Sequence, residues 1–205
     1  MKTPRERRRN SATPFAKWLL GVLLAELAIT PVHAQPVMFD FNQATQYSPL
    51  PVELTQNGIT AHLSATGQGY SIQSAGTMGF TPAGFDGLAI YPSSIYAADL
   101  LISFSVPLVD LSILCAPQEL ACDSSATIRV SAYMGTNFVA TNTTTAPVPG
   151  TWPTAVVGLS AAQGFNNVVI HYESAPPTGG DWGPIFMADN MIVIPLDPVF
   201  ANGFD

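Results

Sequence analysis

The chain of 205 residues is 47% hydrophobic and only 10% charged, with a formal net charge of −7. Six of its seven Lys and Arg residues precede residue 18, so beyond residue 34 Arg129 stands alone against twelve carboxylates, a net of −11. Displacing phosphate counterions takes several basic side chains and holding an anionic membrane takes a basic cluster, so nucleic acid and membrane surfaces are disfavoured as partners. Phosphoryl transfer would need metal ions to supply all its positive charge, which leaves neutral ligands, cations and other proteins.

In chain order, Arg5, Arg7, Arg8 and Arg9, with Lys2 and Lys17, form a basic leader, and Trp18 to Ile29 follow as a mostly apolar run. These are the n-region and h-region of a signal peptide. Val32-His33-Ala34 then place tolerated residues before Gln35, so residues 1–34 are expected to be cleaved off. The apolar run is shorter than the about 20 residues that cross a bilayer and contains Glu26, which makes a permanent anchor the weaker alternative. Arg8-Arg9 lacks the apolar residues that follow a twin-arginine pair, so general secretion is expected, delivering a mature chain without a membrane span to the periplasm or the outside.

The remaining residues suit one domain, 35–195, with a loosely held tail at 196–205. No stretch keeps a helical period, and Gly or Pro interrupts nearly every candidate. Strands are predicted at Val37 to Asn42, Gly58 to Ala65, Tyr70 to Ser74, Leu88 to Tyr91, Leu100 to Val106 and Val109 to Cys115. Others follow at Ala126 to Met134, Asn137 to Thr144, Ala155 to Leu159, Val168 to Glu173 and Ile185 to Ile194. Ala126, Ile128, Val130, Ala132 and Met134 alternate with Thr127, Arg129, Ser131 and Tyr133, the pattern of a half-buried strand. Repeated along the chain, that pattern predicts an all-β protein, an antiparallel two-sheet β-sandwich of jelly-roll-like form. Thr141 to Pro153 reads as a strand end entering an exposed loop. Cys115 and Cys122, the only cysteines, are expected to form a disulfide in an oxidising compartment, restricting the unfolded chain by roughly 2 to 3 kcal/mol; a metal pair would lack neighbouring ligands.

Several residues are candidates for chemistry. Asp40, Asp189 and Asn190 offer hard oxygen ligands where a jelly roll brings its ends together, and with backbone carbonyls they form a candidate calcium site; otherwise Asp40 and Asp189 accept backbone hydrogen bonds in turns. Trp152, Trp182, Tyr91 and Tyr96 are candidates for stacking on a sugar, or else close the ends of the core. His171 and Glu173 share one side of their strand and are the one His and Glu near enough in sequence for acid–base work; the plainer reading is a solvent-facing pair joined by Arg129. His62 has no comparable neighbour. No Gly-x-Ser-x-Gly elbow or zinc ligand spacing occurs, whereas a glycosidase built on two carboxylates among Glu53, Glu119, Glu173 and Asp181 stays open.

The order Asn57-Gly58-Ile59-Thr60-Ala61, Gly69-Tyr70-Ser71-Ile72-Gln73, Gly84-Phe85-Asp86-Gly87, Leu101-Ile102-Ser103-Phe104, Gln118-Glu119-Leu120, Thr127 to Tyr133, Gly164-Phe165-Asn166 and Ala188-Asp189-Asn190 resembles a group of uncharacterised bacterial exported jelly-roll domains. These often occur in proteins with PEP-CTERM sorting tails. The resemblance covers nearly the whole mature chain and implies the sandwich fold, without supplying catalytic residues. This chain departs from it in lacking Pro-Glu-Pro, a membrane span and a basic end; Val199 to Asp205 instead looks like a Phe-Asn-Gly-Phe-acid ending of other exported proteins. The function expected is a non-catalytic exported module that binds glycan or a surface protein, with a carboxylate-dependent carbohydrate-active enzyme or a purely structural surface protein as alternatives.

Overall fold

The computed structural model describes residues 34–67, 69–77, 79–117, 126–145, 153–174 and 185–197. The leader through residue 33 and the tail from residue 198 lie outside them. The described residues form ten strands and no helix, and hence no helix long and apolar enough to cross a membrane. In order they are β1 (Val37–Phe39), β2 (Val52–Gln56), β3 (Ile59–Ala65), β4 (Tyr70–Ser74), β5 (Leu88–Pro92), β6 (Leu100–Pro117), β7 (Thr127–Met134), β8 (Asn137–Thr145), β9 (Ala155–Ser174) and β10 (Phe186–Pro195). All pair antiparallel.

Two long strands make the sandwich. β6 and β9 pair from Leu100 and Ile170 to Ser103 and Asn167, lose register, then pair again from Leu108 and Phe165 to Cys115 and Ala155. Pro107, which cannot donate to a ladder, and Gly164 at φ 78 lie at this interruption, and extra unpaired residues bend strands. Before it β6 has β3 as its other neighbour, and after it β10. One layer is therefore β2-β3-β6-β9-β7-β8, and the other is β4-β5-β10-β6-β9 with β1 alongside β10. The sequence predicts four strands where the chain forms these two bent ones, because Pro107 and Gly164 read as terminators.

The two layers enclose one core. Leu100, Ile102 and Phe104 from the first half of β6, and Leu111, Ile113 and Cys115 from the second, pack with Ile128, Val130 and Ala132 of β7 and Phe186, Ala188 and Met191 of β10. Tyr70 of β4 lays its ring 5.2 Å from that of Phe186 and donates its hydroxyl to the Ala98 carbonyl at 2.9 Å. At the open edge of β9, Asn142 of β8 donates its amide to the Gly158 carbonyl at 2.7 Å, so side chains link the layers where no ladder does.

Three expectations change. Cys115 carries a free thiol, not the expected disulfide with Cys122, which lies outside the described residues. Alternation along β6 sends Cys115 into the core with Leu111 and Ile113, and burial pushes its pKa well above the usual thiol range. β2 was unforeseen, although Val52-Glu53-Leu54-Thr55-Gln56 alternates and is followed by Asn57-Gly58. That pair has φ of 47° and 80°, the two positive values of a type I′ hairpin turn. The start of the tail is also held: the Leu196 N–H donates to the Pro107 carbonyl at 2.8 Å.

Candidate functional site

Alternation that sends apolar residues inward leaves the six-stranded layer with a polar outer face, and its register sorts that face into three cross-strand rows. The first runs Asp99, His171, Arg129 and Thr143. The second runs Ser64, Leu101, Val169, Ser131 and Thr141, and the third His62, Ser103, Asn167, Tyr133 and Phe138. Neighbouring strands lie about 4.8 Å apart and residues two along a strand about 6.7 Å apart. The middle row is thus the floor of a trough about 19 Å long, walled by His171 and Arg129 on one side and Tyr133 and Phe138 on the other.

All the basic residues among the described residues lie on this face, each beside a carboxylate. His171 Nδ1 is 2.6 Å from Asp99 Oδ1. Asp99 is itself placed by Thr66, whose hydroxyl accepts the Asp99 N–H at 2.8 Å and whose N–H donates to the Asp99 carbonyl at 3.1 Å. Arg129 Nε approaches Glu173 Oε2 to 3.0 Å, yet Nε is buried and makes no aligned hydrogen bond; the contact is an ion pair off the N–H axis. His62 Nδ1 stands 3.4 Å from Glu53 Oε1 on β2, so it does have a carboxylate neighbour. In the third row Tyr133 and Phe138 meet edge to face, their centroids 5.9 Å apart, and Phe138 is 61% exposed. An aromatic ring held half in water is poised to stack on an apolar ligand face.

Two hollows follow the floor. One of about 310 Å³ lies over Ser64, Ser103 and Asn167, and one of about 440 Å³ lies between Asp99, His171 and Arg129 on one side and Tyr133 and Phe138 on the other. Leu101 and Val169 line both, which makes the trough continuous.

No protein-family model matches the chain, and no curated protein matches its sequence. Two solved structures share parts of its outline. One is the Agl-KA catalytic domain, 12% identical, with a TM-score of 0.42 over 75% of this chain and 29% of that one. The other is the K1 cleaved adhesin domain of Lys-gingipain from Porphyromonas gingivalis W83, 17% identical, with a TM-score of 0.32 over 79% of this chain and 91% of that one. The chain spans less than a third of the length of the first. Its function has to be argued from its own residues.

The sequence-predicted residues fall elsewhere, with the exceptions of His171, Arg129, Glu173, His62 and Glu53. Glu173 pairs with Arg129 and His171 with Asp99, so Arg129 joins Glu173 alone and the two strand neighbours take different partners. Glu53 and Glu173 stand three strands apart and in different rows, on the order of 20 Å, beyond the about 9.5 Å that two glycosidase carboxylates can span. Glu119, Asp181, Trp152 and Trp182 lie outside the described residues. Tyr96 is exposed on a loop, whereas Tyr91 is buried. It belongs to a second apolar cluster with Phe80, Phe85 and Met187, roofed over and unavailable for stacking.

Asp40, Asp189 and Asn190 act as fasteners for that roof. Asp189 is fully buried; one oxygen accepts the Asp86 N–H at 3.2 Å and the other the Asn190 N–H at 2.7 Å. The Asn190 amide donates to the Gly84 carbonyl at 2.9 Å, and Asp40 accepts the Asn42 N–H at 3.2 Å. Asn42 in turn accepts the Leu88 N–H at 2.7 Å. Burial pushes the Asp189 carboxyl up to about 7, aided by the charges of Asp86 and Asp40 and opposed by its two backbone donors. Among the described residues no group of three or more His, Cys, Asp or Glu is placed to hold a metal ion; Asp40 and Asp189 accept backbone N–H groups, and Asn190 donates to a carbonyl.

Proposed function

We propose that this chain is an exported binding module that holds an extended glycan in the trough across its six-stranded layer. The observation that carries the reading is the trough itself: a continuous floor between a wall of paired polar groups and a wall bearing Tyr133 and Phe138. Hydroxyls and amides from Ser64, Ser103, Ser131, Thr141 and Asn167 supply donors and acceptors at the strand spacing. The aromatic pair supplies an apolar face, and a length of about 19 Å accommodates several sugar units. The Arg129–Glu173 ion pair offsets the one guanidinium charge on this face. Export is supported by the basic and apolar leader, and it would place the module among extracellular or periplasmic polysaccharides and surface proteins.

The test is a binding survey of the purified protein on immobilised polysaccharides, followed by titration of any that is retained. Replacing both Tyr133 and Phe138 by Ala is expected to weaken that binding by about tenfold or more, the effect of about 1.4 kcal/mol, with the strand signature in circular dichroism retained. No retention on any glycan, or equal affinity of the double variant, would refute the reading.

A further inference from the structure

We infer that the trough recognises a single carboxylate on an otherwise neutral glycan, a uronic acid unit, through the guanidinium of Arg129. The inference rests on the trough being the binding site and goes further in naming what its ligand carries. Arg129 is the only Lys or Arg in residues 35–205, and it lines the larger hollow next to His171. Glu173 does not line that hollow; it approaches from the side, against Nε. That contact balances the charge of the guanidinium without an aligned hydrogen bond, and Nε is buried. The guanidinium therefore keeps a fork of donors with no aligned partner among the described residues. A planar fork matches the two oxygens of a carboxylate with two parallel N–H donors.

The surroundings suit the same group. Ser131 and Thr141 hold their hydroxyls 3.1 Å apart in the floor below Arg129, and Asp99 engages His171 through Nδ1, which turns Nε2 away from that carboxylate. A hydroxyl pair and an imidazole lie beside the fork. Glu173 stands behind Arg129 as its counter-charge and Asp99 behind His171, so the site has one unspent fork rather than a basic patch. One fork on a strongly acidic chain selects a sparsely charged polymer, with one uronate in the bound stretch, over a polyuronate.

The experiment measures binding of the purified protein to a panel of soluble oligosaccharides in which every uronate-bearing member is paired with its carboxyl-reduced form. At least one uronate member is expected to bind about tenfold or more tightly than its reduced partner. Arg129→Gln is expected to lose that preference. Arg129→Lys, which keeps the charge facing Glu173 and removes the fork, is expected to lose most of it with the fold intact. Equal binding of both forms by the wild-type protein overturns the carboxylate inference and leaves the trough reading standing. No binding to any member overturns the trough reading, and this inference with it. A preference that survives in Arg129→Lys and Arg129→Gln places the carboxylate elsewhere and overturns the assignment.

Discussion

Replacing Asp189 by Asn should change how stability depends on pH. Burial raises this carboxyl from an ordinary 3.8 to about 7, so the folded protein holds the proton more tightly than the unfolded chain does. Below about pH 4 both states are protonated and the site contributes its full stability. As pH rises, the unfolded chain ionises first and stability is lost, until above about pH 7 both states are ionised and the loss is complete. About three pKa units at about 1.4 kcal/mol each amount to about 4 kcal/mol. The neutral amide has no such dependence, but its NH₂ must face one of the two backbone donors that Asp189 now accepts, a pH-independent cost of about 1 to 3 kcal/mol. Urea unfolding of both proteins from pH 4 to pH 8 isolates the site, because every carboxylate other than the neighbouring Asp40 and Asp86 cancels in the difference. The wild type is expected to be the more stable at pH 4, and its advantage should vanish or reverse by pH 7. A difference that stays constant across that range would show that Asp189 ionises normally, and the burial argument would fail.

Gly87 adopts φ +49°, and a Cβ there would lie 1.9 Å from Asn42 Oδ1. Gly87→Ala is therefore expected to cost about 2 to 3 kcal/mol, combining a left-handed alanine with the loss of the Asn42 bond to Leu88. In an Asn42→Ala background the cost should fall, since neighbouring changes are not additive; an equal cost in both backgrounds, measured by urea unfolding, would exclude the clash as its cause. Because the oxygens of Asp189 are occupied by backbone donors, the melting temperature with excess calcium and with excess chelator is expected to agree, whereas a chelator-induced drop would show an ion bound to the folded state.

Much of the fold is legible in the sequence where local periodicity decides the outcome. The alternation from Thr127 to Met134 marks β7 and assigns its faces, because a one-residue slip would place Arg129 in the core. Periodicity says nothing about what happens at a bend. Pro107 ends a strand by every local rule, yet β6 continues through it because β9 gives way at the same place and the partners on the far edge change from β3 to β10. β2 is the opposite case: its five residues are only half-buried, so the apolar signal is weak, and the Asn57-Gly58 turn was the stronger clue.

The trough is less legible because it belongs to the register between strands. The β7–β8 side is within reach of local reasoning, since the turn at Gly135 and Thr136 sets Met134 opposite Asn137 and brings Tyr133 beside Phe138. The other wall needs β6 and β9, whose paired residues Leu101 and Val169 are separated by the whole β7–β8 hairpin and a loop, and no nearby turn sets that pairing. His171 accordingly has two carboxylates to choose between, Glu173 two residues along its own strand and Asp99 across the ladder. Residues two apart on a strand lie about 6.7 Å from each other, whereas cross-strand neighbours lie about 4.8 Å apart. Register therefore gives His171 to Asp99 and frees Glu173 for Arg129. The same two assignments set Glu173 against Arg129 Nε and His171 beside Arg129 along the hollow, so the chemistry of the trough follows from how β6, β9 and β7 are aligned.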